Sequence, residues 1–217
     1  MYYKFAAKRT CDIIISAFGL FILSGPFALI ALIVKLSSKG PVFYKQLRVG
    51  RYGKCFYIYK FRSMYIDSDI KGSITSSRDA RITSAGRILR KLKLDELPQL
   101  WNVLVGEMSF VGPRPDVRGY ADALEGEDRI ILDFLPGITG PATLCFRNEE
   151  KLLSQAENVQ DFNDNYLWPR KVSLNRKYCQ NWSFGKDLGY ILITFLPFLN
   201  CILHLVPQQD NIEPKND

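Results

Sequence analysis

Charge is spread unevenly along this chain. From Ile13 to Val34 no residue is charged and most side chains are apolar. At about 1.5 Å per residue, a straight helix of that length just crosses a bilayer core of roughly 30 Å. The run is too long for a cleavable signal peptide and no small-x-small site precedes polar sequence, so an uncleaved membrane segment is expected. Ser24-Gly25-Pro26 interrupts it near the middle. Pro26 removes a backbone hydrogen bond and clashes with the preceding turn, Gly25 adds freedom, and the Ser24 hydroxyl can cap a freed backbone group. A sharp kink is predicted there. Lys4, Lys8 and Arg9 precede the segment, and Lys35, Lys39, Lys45 and Arg48 follow it. The positive-inside rule puts both flanks on the same, cytoplasmic face. A re-entrant segment satisfies both facts; a proline-kinked spanning helix is the alternative.

A second apolar run, Leu188 to Val206, contains Pro197, Asn200 and His204. It reads as a helix lying on or partly in the membrane interface. Residues 207–217 are polar and rich in Pro and Asn, and read as a frayed tail. Between the apolar runs lies nearly all the charge. Pro41 to Tyr44 and Cys55 to Phe61 are β-branched and aromatic, with Gly50 to Gly53 between them, which predicts a hairpin. Ser84-Ala85-Gly86 opens a helical pattern carrying apolar residues at 88, 89, 92, 97, 100, 101 and 104, interrupted at Pro98. The expected architecture is a mostly helical α+β protein: a kinked membrane helix over 1–36, a small α/β domain over 37–187, an interfacial helix over 188–206, and the tail.

Composition narrows the chemistry. The 217 residues carry 29 Lys plus Arg against 22 Asp plus Glu, a formal charge of +7, which suits nucleic acid, an anionic membrane or a phosphorylated substrate. The one histidine, His204, lies in an apolar run, which disfavours His-dependent triads and two-His zinc sites. Five widely spaced cysteines without C-x-x-C argue against a disulfide framework. No P-loop or dinucleotide fingerprint is present.

Acid, base or nucleophile is therefore sought among carboxylates. Asp95-Glu96 follows four cations, Arg87, Arg90, Lys91 and Lys93, and precedes apolar sequence. Adjacent carboxylates point in different directions, so one can attack or bind metal while the other orients or takes a proton. Most Asp-Glu pairs are merely solvated surface; the upstream cations are what make this one suit a substrate with several phosphate charges. In Gly112-Pro113-Arg114-Pro115, two prolines hold Arg114 in an extended loop, where a guanidinium can clamp a phosphate at little entropic cost. Pro136-Gly137-Ile138-Thr139-Gly140-Pro141 forms a second rigid turn, followed by Arg147-Asn148.

Taken in order, several segments resemble the bacterial sugar transferase family, in particular its small monotopic polyprenyl-phosphate phosphoglycosyl transferases. They are Lys8-Arg9 before Asp12, the broken apolar helix, Gln46 to Gly50, Tyr59 to Met64, Leu94 to Val103, Met108 to Pro115, and Pro136 to Gly140. The resemblance implies a re-entrant helix and a catalytic face turned to the cytoplasm at the bacterial inner membrane. It implies magnesium-dependent transfer of sugar-1-phosphate from a UDP-sugar to undecaprenyl phosphate, with UMP released and the product passed to downstream glycosyltransferases. It makes Asp95 the nucleophile of a phosphosugar-aspartyl intermediate, with Glu96 assisting metal or proton handling, so that Asp95 and Glu96 are also the Mg²⁺ candidates. Arg90, Arg114, Arg147 and Asn148 become phosphate or nucleotide candidates, with Lys60 and Arg62 beside them. Lys8 and Arg9 would meet headgroups or the polyprenyl phosphate, and Ser24 and Pro26 would make the break. The chain departs from the family where Gly25 separates Ser24 from Pro26, and where Phe146 stands in place of a glycine before Arg147-Asn148. The competing reading is a non-catalytic basic scaffold on a membrane. A nucleic-acid partner is not expected, because the cations are split between membrane flanks and a carboxylate-bearing segment. No residue argues for or against a homodimer.

Overall fold

The computed structural model describes residues 2–66 and 81–207. Its order is α1 (Tyr2–Ile22), α2 (Ser24–Ser37), β1 (Phe43–Val49), β2 (Cys55–Phe61), α3 (Ser84–Lys91), α4 (Gln99–Val105), β3 (Ser109–Val111), β4 (Gly137–Thr139), α5 (Pro141–Cys145), α6 (Glu149–Leu153), α7 (Val159–Phe162), α8 (Trp168–Gln180), α9 (Phe184–Phe195) and α10 (Asn200–Leu203). The molecule is thus the mostly helical α+β protein expected, with two small two-stranded sheets. The tail expected over 207–217 lies, from residue 208 on, outside the described residues.

The break in the apolar run falls at Leu23, slightly upstream of the residues expected to make it. Pro26 is the third residue of α2; it has no N–H to offer Ile22, and its ring crowds that carbonyl, so the distortion appears three to four residues earlier. The ladder resumes at once, with Leu23 N bonding Gly19 O (2.9 Å) and Phe27 N bonding Leu23 O (2.8 Å). The N-cap position of α2 is Leu23, which has no side-chain oxygen to cap with, and Ser24 is already the first residue of the helix. Among the described residues no single helix is long and apolar enough to cross a membrane; the stretch from Phe5 through Ser37 qualifies only as a pair bent by 62°. Both helices expose large apolar side chains, with Phe21 79 % and Leu36 78 % exposed.

Sharply placed polar anchors fix α1 to the rest of the chain. Lys8 is buried, donates to Val111 O (2.8 Å) and pairs with Asp187 of α9. Asp187 also accepts from Tyr178 Oη (2.8 Å) and Trp182 Nε1 (2.9 Å). Arg9 donates to Val103 O (2.5 Å) and Leu104 O (2.7 Å), carbonyls in the last turn of α4. Lys8 and Arg9 therefore face inward, not toward the headgroups expected of them: each long stem reaches across the helix interface to carbonyl or carboxylate acceptors on neighbouring elements. Removing one member of a buried pair strands the other charge. Lys8→Ala should lower stability by about 3–5 kcal/mol, read as an earlier thermal unfolding transition.

The hairpin forms as the pattern predicts. β1 and β2 pair antiparallel from Phe43 opposite Phe61 to Val49 opposite Cys55. Phe61 joins Ile30 and Val34 of α2 and Leu89 of α3 in one apolar cluster; Phe56 and Ile58 meet Val103 and Met108 in another. Asn102, fully buried, donates to Tyr57 O (2.7 Å) and accepts from Tyr59 N (3.2 Å), so a side-chain amide stands in for a third strand beside β2. The helix expected from Ser84 through Leu104 is divided. Thr83 caps α3 by accepting from Gly86 N (2.9 Å), but Lys93 adopts a left-handed conformation (φ 57°), Leu94–Glu96 make one tight turn, and α4 starts after Pro98. β3 and β4 pair in parallel. There a Cβ on Gly112 would collide with Leu135 O, and one on Gly137 with Gly112 N, so only glycine allows the two backbones to close.

The apolar stretch read as one interfacial helix is three pieces: α9, a tight turn at Pro197–Leu199, and α10, ended by an exposed His204 at φ 46°. The boundary drawn after residue 187 falls inside α9, whose Asp187 and Gly189 are buried and whose Tyr190 and Ile193 join the main core. Leu192 and Phe195 of α9 and Phe198 of the following turn are exposed.

Candidate active site

The tight turn at Leu94–Glu96 sends its two carboxylates to different surroundings. Glu96 Oε1 accepts from Lys60 Nζ (2.8 Å) at the end of β2 and from Arg114 Nη2 (2.5 Å), while Arg114 Nη1 lies 3.4 Å from Oε2. Arg114 grips Glu96 with its forked end, a geometry a lysine cannot reproduce. Asp95 is 6 % exposed, and its Oδ1 is buried without a hydrogen-bond partner. Lys60, Arg90 and Lys93 supply the positive field around it.

The two acids are shifted in opposite directions. Burial pushes the Asp95 carboxyl up, opposed by Lys60 and reinforced by Glu96. Burial alone would raise Glu96 too, but Arg114 and Lys60 overcome it and hold this carboxyl well below its ordinary 4.5. Burial pushes the Lys60 ammonium down and Glu96 pulls it back up. Neighbouring carboxyls whose environments shift them in opposite directions are candidates for a functional site. A depressed carboxylate stabilises the fold above its unfolded value and loses that contribution as pH falls through its folded value. Wild-type stability should therefore drop on acidification below about pH 4.5, and Glu96→Gln should flatten that part of the curve, as measured by thermal melts across the acid range.

The candidate residues divide into those brought together and those held elsewhere. Asp95, Glu96, Lys60, Arg90 and Arg114 share one neighbourhood. Arg90 donates to Glu150 of α6 (2.5 Å), and its Nε is buried and unpartnered. Arg62 is buried against the end of α2, donating to Ser38 O (2.7 Å) and Ser38 Oγ (2.9 Å). Arg147 is exposed and donates to Thr194 O (2.8 Å) at the end of α9; Asn148, also exposed, leads into α6. Sequence reasoning missed the surrounding charges: Arg48, Asp116, Glu149, Glu150 and Lys171. Glu149 pairs with Lys171 (2.6 Å). Burial raises the Asp116 carboxyl, while Lys171, Arg48 and Arg114 draw it down. Arg48 and Asp116 sit inside or beside the Gln46–Gly50 and Gly112–Pro115 segments, which was the available signal.

No group of three or more His, Cys, Asp or Glu converges as a metal cage among the described residues. Asp95 Oδ1 is the unsatisfied oxygen, whereas both Glu96 oxygens already face cations. Such a site fits Mg²⁺ held by one carboxylate together with substrate phosphates, which is how this ion is usually bound, and does not fit Glu96 as a free ligand.

A carboxylate whose buried Oδ1 has no hydrogen-bond partner, set among several cations, is a candidate site for an anionic substrate. The model of the bacterial sugar transferase family matches residues 3–201, and the chain belongs to that family; it is a sugar transferase. It is 37 % identical over 187 residues to the uncharacterized sugar transferase EpsL of Bacillus subtilis, covering 86 % of this chain and 84 % of that one. It is 37 % identical over 200 residues to the UDP-glucose:undecaprenyl-phosphate glucose-1-phosphate transferase of Klebsiella pneumoniae, covering 89 % of this chain but 40 % of the relative. It is 34 % identical over 204 residues to the exopolysaccharide production protein ExoY of Rhizobium meliloti, covering 87 % and 83 %.

Proposed function

We propose that this enzyme transfers sugar-1-phosphate from a UDP-sugar to undecaprenyl phosphate, as the first membrane step of a bacterial glycoconjugate pathway. The observation that carries the reading is the unpartnered Asp95 Oδ1 in the positive field of Lys60 and Arg90, next to a Glu96 that is fully engaged. The names of relatives support the substrate pair: besides the Klebsiella enzyme, an undecaprenyl-phosphate glucose phosphotransferase of Komagataeibacter xylinus is 37 % identical over 199 residues.

In the first step Asp95 Oδ1 attacks the β-phosphorus of the UDP-sugar. The bond from that phosphorus to the bridging oxygen breaks, its electron pair leaves with UMP, and a phosphosugar-aspartyl ester remains. In the second, an oxygen of undecaprenyl phosphate attacks the same phosphorus, the Asp95 carboxylate leaves, and a polyprenyl diphosphosugar forms. The attacking groups, an Asp95 carboxylate and then a phosphate, react as anions with no proton to give up, so neither step needs an imidazole. Arg90, with one buried donor free, and Lys60 and Arg114, held by Glu96, present fixed positive charge to the phosphoryl oxygens without reorganising. Mg²⁺, when bound at Asp95 with the diphosphate, would neutralise charge on the leaving group.

The bent α1–α2 pair with its exposed apolar side chains supports a re-entrant segment at the inner membrane, and exposed Leu192 and Phe195, with Phe198 in the next turn, support an interfacial lie for α9 and the turn after it. Lipid access on the cytoplasmic leaflet would then bring the polyprenyl phosphate to the same face as Asp95. The test is a UMP-release screen of the purified protein over a UDP-sugar panel with Mg²⁺. Release with at least one sugar supports the reading; none with any sugar favours the membrane scaffold. Cysteine labelling at both ends of a Cys-free variant should find both on the cytoplasmic side, and labelling on opposite sides would restore a spanning helix.

A further inference from the structure

The loop bearing Arg114 is tied down on both sides of that residue. Upstream, Gly112 N donates to Thr139 O (2.9 Å) and Pro113 O accepts from Gly137 N (2.8 Å), so β4 holds the first half. Downstream, Asp116 O accepts from Val49 N (2.8 Å) and Pro115 O accepts from Arg48 Nη1 (3.2 Å), so the end of β1 holds the second half. Pro113 and Pro115 have no N–H, which removes two of the donors that a loop ordinarily uses to pin itself. The Arg48 guanidinium supplies one from outside. It is itself clamped: Nη2 and Nε both donate to Gln46 Oε1 (2.6 and 3.2 Å), two residues back on the same side of the strand. Its charged neighbours are Asp116, Arg114 and Glu96.

From this geometry we infer that Arg48 is a positioning residue, which holds the Pro115 carbonyl so that Arg114 meets Glu96 fork to fork. The inference rests on the proposed reading of Asp95 and Glu96 for its catalytic consequence, not for its structural one. A planar guanidinium spans Gln46 and Pro115 at once, whereas a lysine offers one point donor. Because Arg48 acts through Arg114, its loss and a change at Arg114 should not add. Its charge near Arg114 would by itself push the two guanidinia apart; Asp116, near both, offsets that repulsion.

The experiment is Arg48→Lys in the full chain, followed by steady-state kinetics and hydrogen exchange. The turnover rate should fall about ten- to a hundred-fold, as a misplacement near 1 Å costs. KM for the UDP-sugar should stay within about two-fold. Arg48→Lys in an Arg114→Lys background should cost nothing further. Amide exchange in the peptide spanning Gly112 to Asp116 should rise while that of α1 does not. Should Arg48→Lys fail to fold, Gln46→Ala, which frees the clamp and leaves Arg48 in place, should give the same pattern in milder form. Losses that add to those of Arg114→Lys, a loss confined to KM, or unchanged exchange in the Gly112–Asp116 peptide would each overturn the inference. The exchange arm needs no turnover, so a protein that releases no UMP sinks the functional reading while Arg48 is still decided.

Discussion

Asp95→Asn should abolish UMP release, by at least about a thousand-fold, and leave the protein as stable as before or slightly more so. The two halves of this expectation come from one observation. Asp95 is buried, its Oδ1 has no partner, and burial pushes its carboxyl up, so the folded state disfavours the ionised form that attack requires. An amide of the same shape removes a buried charge while keeping the volume, and it cannot act as the nucleophile. Stability held against activity is the mark of a site. The measurement is a paired one: UMP release with the preferred UDP-sugar, and thermal unfolding of the same preparation. A variant that keeps substantial turnover, or that loses activity only because it unfolds, contradicts the assignment.

Glu96→Gln should behave differently and lose both. Its carboxylate is the shared counter-charge of Lys60 and Arg114, and a glutamine amide can accept from one but neutralises neither. Two cations would be left facing each other in a largely buried place. The expected cost is roughly 3 kcal/mol, at the low end for a broken buried pair because the Arg114 side chain is 36 % exposed and partly screened. Activity should fall by about a hundred-fold or more, since the cations that meet the phosphoryl oxygens lose their common anchor. Adding salt should recover part of the stability and none of the activity. Equal stability in Glu96→Gln and wild type would mean that the Lys60–Glu96–Arg114 cluster does not hold the site together.

How much of this the sequence disclosed depended on whether a residue's partner lay within reach of a local pattern. The hairpin was legible because alternating aromatic and β-branched residues and a glycine-flanked turn are local signals. Asp95, Glu96 and Arg114 were legible because each stands in a segment whose composition is unusual by itself. The long-range pairings were not. Arg90 with Glu150, Lys171 with Glu149, and Arg48 with Pro115 join residues from separate elements, and nothing in a single sequence says which cation meets which carboxylate. Lys8 and Arg9 looked like headgroup ligands because basic residues beside an apolar run usually are; that run also has a protein-facing side, where Asp187 and the end of α4 had acceptors to satisfy. The division of the predicted helix at Lys93 was hidden for a similar reason. A left-handed lysine is costly on local propensity, and it is accepted here because it turns Asp95 and Glu96 into the cation cluster.

The central claim is that a phosphosugar is carried on Asp95, and the most direct measurement is a reaction from which the lipid acceptor is left out. Purified protein, Mg²⁺ and the preferred UDP-sugar should release UMP to at most about one equivalent per active site, then stop. Intact-mass and peptide analysis of the quenched protein should place one added sugar phosphate on the peptide containing Asp95, and adding undecaprenyl phosphate should remove it. No UMP before the acceptor arrives, with full turnover once it does, would contradict the account, since the sugar phosphate would then pass to the lipid without ever resting on the protein.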